Sequence, residues 1–124
     1  MTETRPKSRF AGPPAPPTYW SYPETRDAAN RVGKAWDKLT DQVRAEEREA
    51  ARWEAAAESL NPACSVRQQA DIIARAQSQR RAAVRAQEDA DAYAASPTVQ
   101  EAAGVIRAHG VPLPAWWPSA GGRA

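Results

Sequence analysis

The residue types that most often carry catalysis are nearly absent from this chain of 124 residues. It contains one histidine, His109, and one cysteine, Cys64, which lie far apart in the sequence. A nucleophile and its base must stand within hydrogen-bonding distance, so we do not expect these two residues to form a catalytic pair. His109 precedes a glycine, as is typical of a helix end, where an imidazolium interacts favourably with the helix dipole.

Motifs that bind metals and nucleotides are also missing from the sequence. It has no HExxH motif, no paired cysteines and no EF-hand loop, so zinc and calcium lack their usual ligand sets. It has neither a P-loop nor a GxGxxG turn, which are the usual cradles for phosphates. We therefore predict a protein that is not an enzyme, holds no cofactor or metal, and has no evident small-molecule substrate.

One row of arginines has the spacing expected of a phosphate-binding surface. Arg44, Arg48 and Arg52 are four residues apart, so they form a single stripe on a helix. Such a stripe can neutralise phosphates. Glutamates are interleaved with it, however, and the net charge is only +2, whereas a DNA-binding helix usually has a less diluted basic face. We favour a solvated, ion-paired face, with a small nucleic-acid-associated regulator as the alternative.

Aromatic residues gather near both ends of the chain. The group consists of Tyr19, Trp20, Tyr22, Trp116 and Trp117. Two interpretations stay open: the rings pack together as a cap on the helices that precede and follow them, or they form docking peptides for another protein. A membrane-interface role is disfavoured, because no basic amphipathic face accompanies the tryptophans.

Two long stretches without proline must position these residues. They are predicted as helices over 24–60 and 65–95, separated by the break at Asn61-Pro62. Ser65 precedes Gln68 by three residues, which is the spacing of a capping box at the start of a helix.

Shorter segments flank this pair of helices. Ser96-Pro97 opens a short third helix over 96–110, which Gly110 ends as a C-terminal cap. Residues 1–23 are predicted as a disordered, proline-rich aromatic tail. Residues 111–124 are predicted as an irregular tail rich in proline and tryptophan.

Apolar residues of the first long stretch recur at alternating spacings of three and four, the period of a coiled-coil seam. A short connection makes two helices antiparallel neighbours. With the turn near Ala63, two residues that face each other across the hairpin have numbers that sum to about 126. The seam predicted in this way consists of Val32, Trp36, Leu39, Val43, Trp53, Leu60, Val66, Ile73, Ala83 and Ala90. We therefore predict an all-α fold: a long antiparallel two-helix hairpin, coiled-coil-like, plus a short third helix.

One layer of this predicted seam is charged. Glu46 interrupts the apolar positions of the first helix, and the same register places Arg80 opposite it. We predict a partly shielded ion pair between them, which would penalise slipped registers more than it stabilises the fold. The alternative is that both side chains extend to solvent from a loose seam.

Composition and fold together narrow the class of function. Helices rich in alanine bury little apolar area, so we expect an oligomer or a docked partner to complete the structure. The function predicted is a helical interaction or assembly protein that self-associates or docks to a larger protein. Small size and biased composition suggest a mobile genetic element as context, namely an accessory protein of a plasmid or phage for transfer, packaging or immunity.

The sequence also carries a prediction about location. No stretch approaches the ~20 apolar residues that a membrane span requires. The N-terminal segment lacks the apolar centre of a signal peptide. We therefore expect the protein in the cytoplasm.

Overall fold

In the part of the chain that the structure describes, three α-helices and one short 3-10 turn build the fold. The computed structural model describes residues 16–120. Helix α1 spans Pro23–Glu58, α2 spans Val66–Ala94 and α3 spans Pro97–Ala108, while the 3-10 turn covers Tyr19–Ser21. No strand occurs among these described residues, and the predicted all-α fold class is confirmed.

Helices α1 and α2 form the antiparallel hairpin. With 36 residues, α1 is about 54 Å long. The chain reverses between Glu58 and Val66, where the Asn61 side chain accepts a hydrogen bond from the amide of Ala63 at 2.9 Å. Helix α2 then begins at the capping box: the Ser65 hydroxyl accepts from the Gln68 amide at 3.1 Å, and the Gln68 side chain accepts from the Ser65 amide at 2.9 Å. Local hydrogen bonds therefore stop one helix and start the next.

Small residues of α2 face large residues of α1 in the part of the seam nearest the open end of the hairpin. Trp36 lies in one buried cluster with Ala90 and Ala94, and Leu39 and Val43 pack against that cluster. Ala83 and Ala90 are completely buried, which lets the two helix backbones approach closely. The predicted pairing of Trp36 with Ala90 therefore matches the structure.

The seam prediction is wrong for the first turns of α2. Val66 is 82% exposed and Ile73 is 42% exposed, so neither side chain lies in the seam. The buried residues of α2 begin at Ala76, and stepping back four residues from Ala76 brings Ile72, not Ile73, to the α1 side. The ring of Trp53, predicted to meet Ile73, lies beneath the guanidinium of Arg75 at 5.0 Å.

A second buried cluster joins α3 to the start of α1. Its largest members are Val32 from α1, Val99 and Ile106 from α3, and Val111 just beyond α3. Ser96 is the N-cap of α3: its hydroxyl accepts from the Val99 amide, and Pro97 occupies the first helical position. The open end of the hairpin is therefore a small three-helix core, and it supports the site described below.

A Schellman motif directs the chain from α3 back to α1. Gly110 has φ +71° and donates its amide to the carbonyl of Arg107 at 2.9 Å. Val111 donates to the carbonyl of Ile106 at 3.3 Å, and both of these side chains are buried in the same cluster. This is the hydrophobic contact that usually accompanies the motif. The segment that follows therefore returns across the open end of the hairpin.

Candidate functional site

Both ends of the described chain converge on the open end of the hairpin. Thr18 caps the 3-10 turn with a reciprocal pair of bonds to Ser21, and Tyr19 packs against the buried cluster of α1 and α3. The prediction of a disordered tail over 1–23 is therefore wrong for residues 18–22, while residues 1–15 lie outside the described part. On the C-terminal side, Leu113 and Trp117 pack against the same cluster.

Four aromatic rings form a continuous chain at this end, which we call the aromatic cap: Trp20, Tyr19, Trp116 and Trp117. The ring centroids of Trp20 and Tyr19 are 5.1 Å apart. Tyr19 meets Trp116 edge to face at 6.2 Å, and Trp116 meets Trp117 at 5.7 Å. These separations are in the range that favours aromatic pairs. Four of the five aromatic residues predicted to cluster therefore do so, and the exception is Tyr22.

A buried threonine holds the N-terminal half of the aromatic cap in place. Thr25 lies on the first turn of α1 and is completely buried. Its hydroxyl lies 2.6 Å from the carbonyl of Tyr19 and 3.1 Å from that of Tyr22. A buried hydroxyl must find such partners, because leaving it unbonded costs free energy. Thr25 was not recognised from the sequence, since a threonine near a helix start is unremarkable there.

A glycine seats the C-terminal half of the aromatic cap. The ring of Trp116 lies against Gly33 of α1, so closely that a Cβ on that residue would be 3.2 Å from Cη2 of the ring. Beside this contact runs an open groove along α1, lined by Arg31 and Lys34 and also by Asp27. A glycine inside an otherwise alanine-rich helix is the sequence signal for such a close approach.

The aromatic cap is buried on one side and exposed on the other. Tyr19 and Trp117 are partly buried against the core, whereas Trp20 is 58% exposed and Trp116 is 39% exposed. Two indole rings therefore remain exposed to solvent, beside rings that pack against the buried core.

Tyr22 belongs to a neighbouring contact and not to the ring chain. Its ring lies 5.0 Å from the imidazole of His109. His109 Nδ1 is 3.0 Å from the carbonyl of Val105, and Nε2 is 3.7 Å from a carboxylate oxygen of Glu24. This group ties the end of α3 to the start of α1. His109 thus has the role at a helix end that its position beside a glycine predicts.

Tyr93 of α2 lies between the two buried clusters at the open end of the hairpin. It packs against both buried clusters, and burial raises the pKa of its hydroxyl, an effect that the nearby positive charge of Arg31 partly offsets. The phenol therefore stays neutral and acts as a packing residue.

The charged layer of the hairpin differs from the predicted pair of Glu46 and Arg80. The guanidinium of Arg80 binds both carboxylate oxygens of Glu54 at 2.8 Å and one of Glu47 at 2.7 Å. Glu46 instead accepts a hydrogen bond from the side chain of Gln79. The geometry of the guanidinium group explains this choice. Two of its N–H groups can bind the two oxygens of one carboxylate, and Glu54 presents both of its oxygens to Arg80.

These contacts alter the acid–base properties of the pair. The hydrogen bonds from Arg80 hold the pKa of Glu54 below its ordinary value, against the opposite effect of desolvation. The same bonds, to Glu54 first and then to Glu47, raise the pKa of Arg80. Arg80 therefore remains charged and fixes one point of the hairpin register.

The arginine stripe is largely engaged with acidic neighbours on its own helix. Arg44 pairs with Asp41 at 2.6 Å and Arg52 with Glu49 at 3.3 Å. All four side chains are well exposed, so the pairs are weak, but they dilute the positive field along the stripe. Contact between the stripe and nucleic acid stays a prediction.

Neither a metal centre nor a membrane span is found among residues 16–120. No three histidine, cysteine or acidic side chains come together there in a way that could hold a metal ion. No helix in this part of the chain combines the length and the apolar character needed to cross a bilayer. The chemically distinctive feature of the described residues is therefore the aromatic cap.

Comparison with protein-family models, with curated proteins and with solved structures finds no match to this chain.

Proposed function

We propose that this protein is a non-enzymatic interaction protein that docks onto a larger protein through the aromatic cap. The observation that carries the proposal is the exposure of Trp20 and Trp116 on a base fixed by the core of the hairpin. Tryptophan is the residue type most enriched among those that dominate binding energy at protein interfaces. A rigid base adds affinity, because little conformational entropy is then lost on binding.

The charges around the aromatic cap favour a protein partner over a membrane surface. The groove beside Trp116 carries Arg31 and Lys34, but Asp27 and Asp37 balance them. A helical surface that binds anionic lipid usually has a strongly basic face beside its tryptophans. A mixed polar rim around exposed rings is instead the usual anatomy of a protein interface.

Site-specific photo-crosslinking in the native host tests this proposal. A photoreactive phenylalanine analogue replaces Trp20, and in a matched control it replaces Ala56, an exposed residue at the far end of α1. We expect one discrete protein to be crosslinked from position 20 and not from position 56. Equal crosslinking from the two positions, or none from either, would contradict the proposal.

Purified components then measure the contribution of each ring. Trp20→Ala and Trp116→Ala should each weaken binding of the crosslinked partner by at least tenfold, the effect typical of a buried interface tryptophan. Val66→Ala is the control, since Val66 is 82% exposed at the opposite end of the hairpin. If the two tryptophan variants bind as tightly as the control, the aromatic cap is not the docking site.

A further inference from the structure

Helix α2 carries a second row of seam positions, on the face next to the one that packs against α1. Val66, Ala70, Ile73, Gln77, Arg80 and Val84 follow one another at spacings that alternate between four and three. Among them, Ile73 is 42% and Val84 is 48% exposed. This row lies about 100° around α2 from its buried alanines, roughly the angle between two neighbours of one helix in a four-helix arrangement.

We propose that this row, which we call the second seam, binds the second seam of another copy of the chain in antiparallel orientation. In this register, a residue of one copy faces a residue of the other copy when their two numbers sum to about 157. Complementary heptad positions of the two helices then meet. Ile73 of one copy then packs against Val84 of the other, and twofold symmetry repeats the contact. Ile73 and Val84 are both covered in this way.

The charges beside the second seam select this register. Arg67 and Glu88 flank the row on its solvent side, and neither has an ion-pair partner within the described residues. In the proposed register Arg67 of each copy lies beside Glu88 of the other. A shift by one heptad in one direction would bring Arg67 of each copy beside Arg81 of the other. The same shift in the opposite direction would bring the two Arg81 side chains together. Repulsion between like charges therefore disfavours both slipped alternatives.

The orientation follows from the same residues. In a parallel pair, Arg80 would face Arg80 of the second copy, so two like charges would meet in the middle of the seam. In the antiparallel pair, Arg80 faces Gln77, while its guanidinium stays bound to Glu47 and Glu54 of its own chain. A polar layer near the middle of a seam is a known way to fix register at some cost in affinity. The interface is short, so a weak, concentration-dependent dimer is expected.

Crosslinking between two different single-cysteine chains tests the register. In a Cys64→Ser background, one chain carries Ile73→Cys and the other carries Val84→Cys, and a short bismaleimide joins close thiols. The mixture should give several times more crosslinked dimer than either chain alone. Efficient crosslinking of the Ile73→Cys chain with itself would indicate a parallel pair and overturn the proposal, as would no crosslinking in the mixture.

Charge reversal provides a second, independent test by sedimentation equilibrium of the full chain. Arg67→Glu and Glu88→Arg should each weaken dimerisation about tenfold, because two attractive pairs per dimer become repulsive. The double variant should restore the wild-type dimer. Arg48→Glu, on the exposed face of α1, is the control and should change nothing. A wild-type chain that stays monomeric at millimolar concentration, or a double variant no better than the singles, would refute the second seam.

Discussion

The indole of Trp116 rests on the bare backbone of Gly33, and a single added carbon would stand 3.2 Å from its Cη2 atom. The contact joins the C-terminal segment to the first third of α1. Glycine in a helix interior costs about 0.5–1 kcal/mol relative to alanine. Gly33 thus makes α1 less stable than an alanine would, but it leaves room for the ring of Trp116 to lie against the helix backbone.

Replacing Gly33 by alanine should show both effects, the gain in helix stability and the loss of room for Trp116. Gly104→Ala is the matched control, because Gly104 is also helical and its added Cβ would meet nothing within 4 Å. We expect Gly104→Ala to raise the free energy of unfolding by about 0.5–1 kcal/mol, measured by urea denaturation. Gly33→Ala should gain clearly less and should shift tryptophan emission to the red, because Trp116 is displaced.

A double variant separates the clash from other effects at that position. In a Trp116→Ala background the ring is gone, so Gly33→Ala should recover the gain seen at Gly104. If Gly33→Ala stabilises the wild-type chain as much as Gly104→Ala does, Trp116 does not depend on the glycine.

Loss of the Thr25 hydroxyl should release the N-terminal half of the aromatic cap. Thr25→Val keeps the shape but removes the donor, leaving the Tyr19 carbonyl without its partner at a cost of about 1–3 kcal/mol. Hydrogen exchange at the Ser21 amide, which bonds to the carbonyl of Thr18, should accelerate. Thr25→Ser keeps the hydroxyl and should keep the amide protected.

Thr40→Val is the control for this experiment. The hydroxyl of Thr40 bonds to the carbonyl of Trp36 within α1, so its removal leaves that carbonyl with its ordinary helical bond. We expect little change in stability or exchange. Equal effects at Thr25 and Thr40 would show that the bond to Tyr19 contributes nothing special.

The bond between Glu54 and Arg80 should make stability depend on acid pH. The pKa of Glu54 is lowered in the folded state, so its ionised form stabilises the fold above the pKa of the unfolded carboxyl. This contribution is lost as the pH falls through the lower, folded-state pKa. We expect Glu54→Gln to lower the Tm at neutral pH and to match the wild type in strong acid.

A thermal-melting series from pH 7 downwards measures this effect, with the gap between the two proteins closing in the region below about pH 4.5. Because the Glu54 side chain is 41% exposed and solvent screens its charge, the gap at neutral pH should be small. Glu58→Gln, which changes an exposed glutamate on the same helix, is the control and should leave the Tm at neutral pH close to that of the wild type. A constant difference between Glu54→Gln and wild type at every pH would contradict the role of the charge.

The sequence predicts those parts of the fold that depend on neighbours along the chain. The reversal near Asn61, the capping box of Ser65 and Gln68, and the glycine after α3 all rest on local hydrogen bonds, and the structure contains each of them. The pairing of Trp36 with Ala90 was also predictable, since an antiparallel register follows from the position of the turn.

Features that depend on rotation of a helix or on a distant segment were not predictable in this way. The choice between Ile72 and Ile73 is a difference of 100° around α2, and the two residues have the same chemistry. The choice of Glu54 over Glu46 by Arg80 depends on which carboxylate meets the guanidinium edge-on. The path that brings Trp116 onto Gly33 is tertiary and leaves only a lone helical glycine as a signal.

Gly110 should respond to substitution in the opposite sense from Gly104. Its φ of +71° lies in the left-handed region, and an added Cβ would meet nothing within 4 Å, so the cost of a side chain is purely one of backbone conformation. Gly110→Ala should therefore lower the free energy of unfolding by about 1–2 kcal/mol in urea denaturation. Gly110→Asn should lower it less, because asparagine tolerates this conformation better.

Weakening the motif should also loosen the bond from Val111 to the Ile106 carbonyl, which begins the path to the aromatic cap. Gly110→Ala should thus expose Trp116 and Trp117 to quenching by acrylamide, while Gly104→Ala should not. If Gly110→Ala stabilised the protein as Gly104→Ala is expected to, the turn after α3 would not position the C-terminal tryptophans.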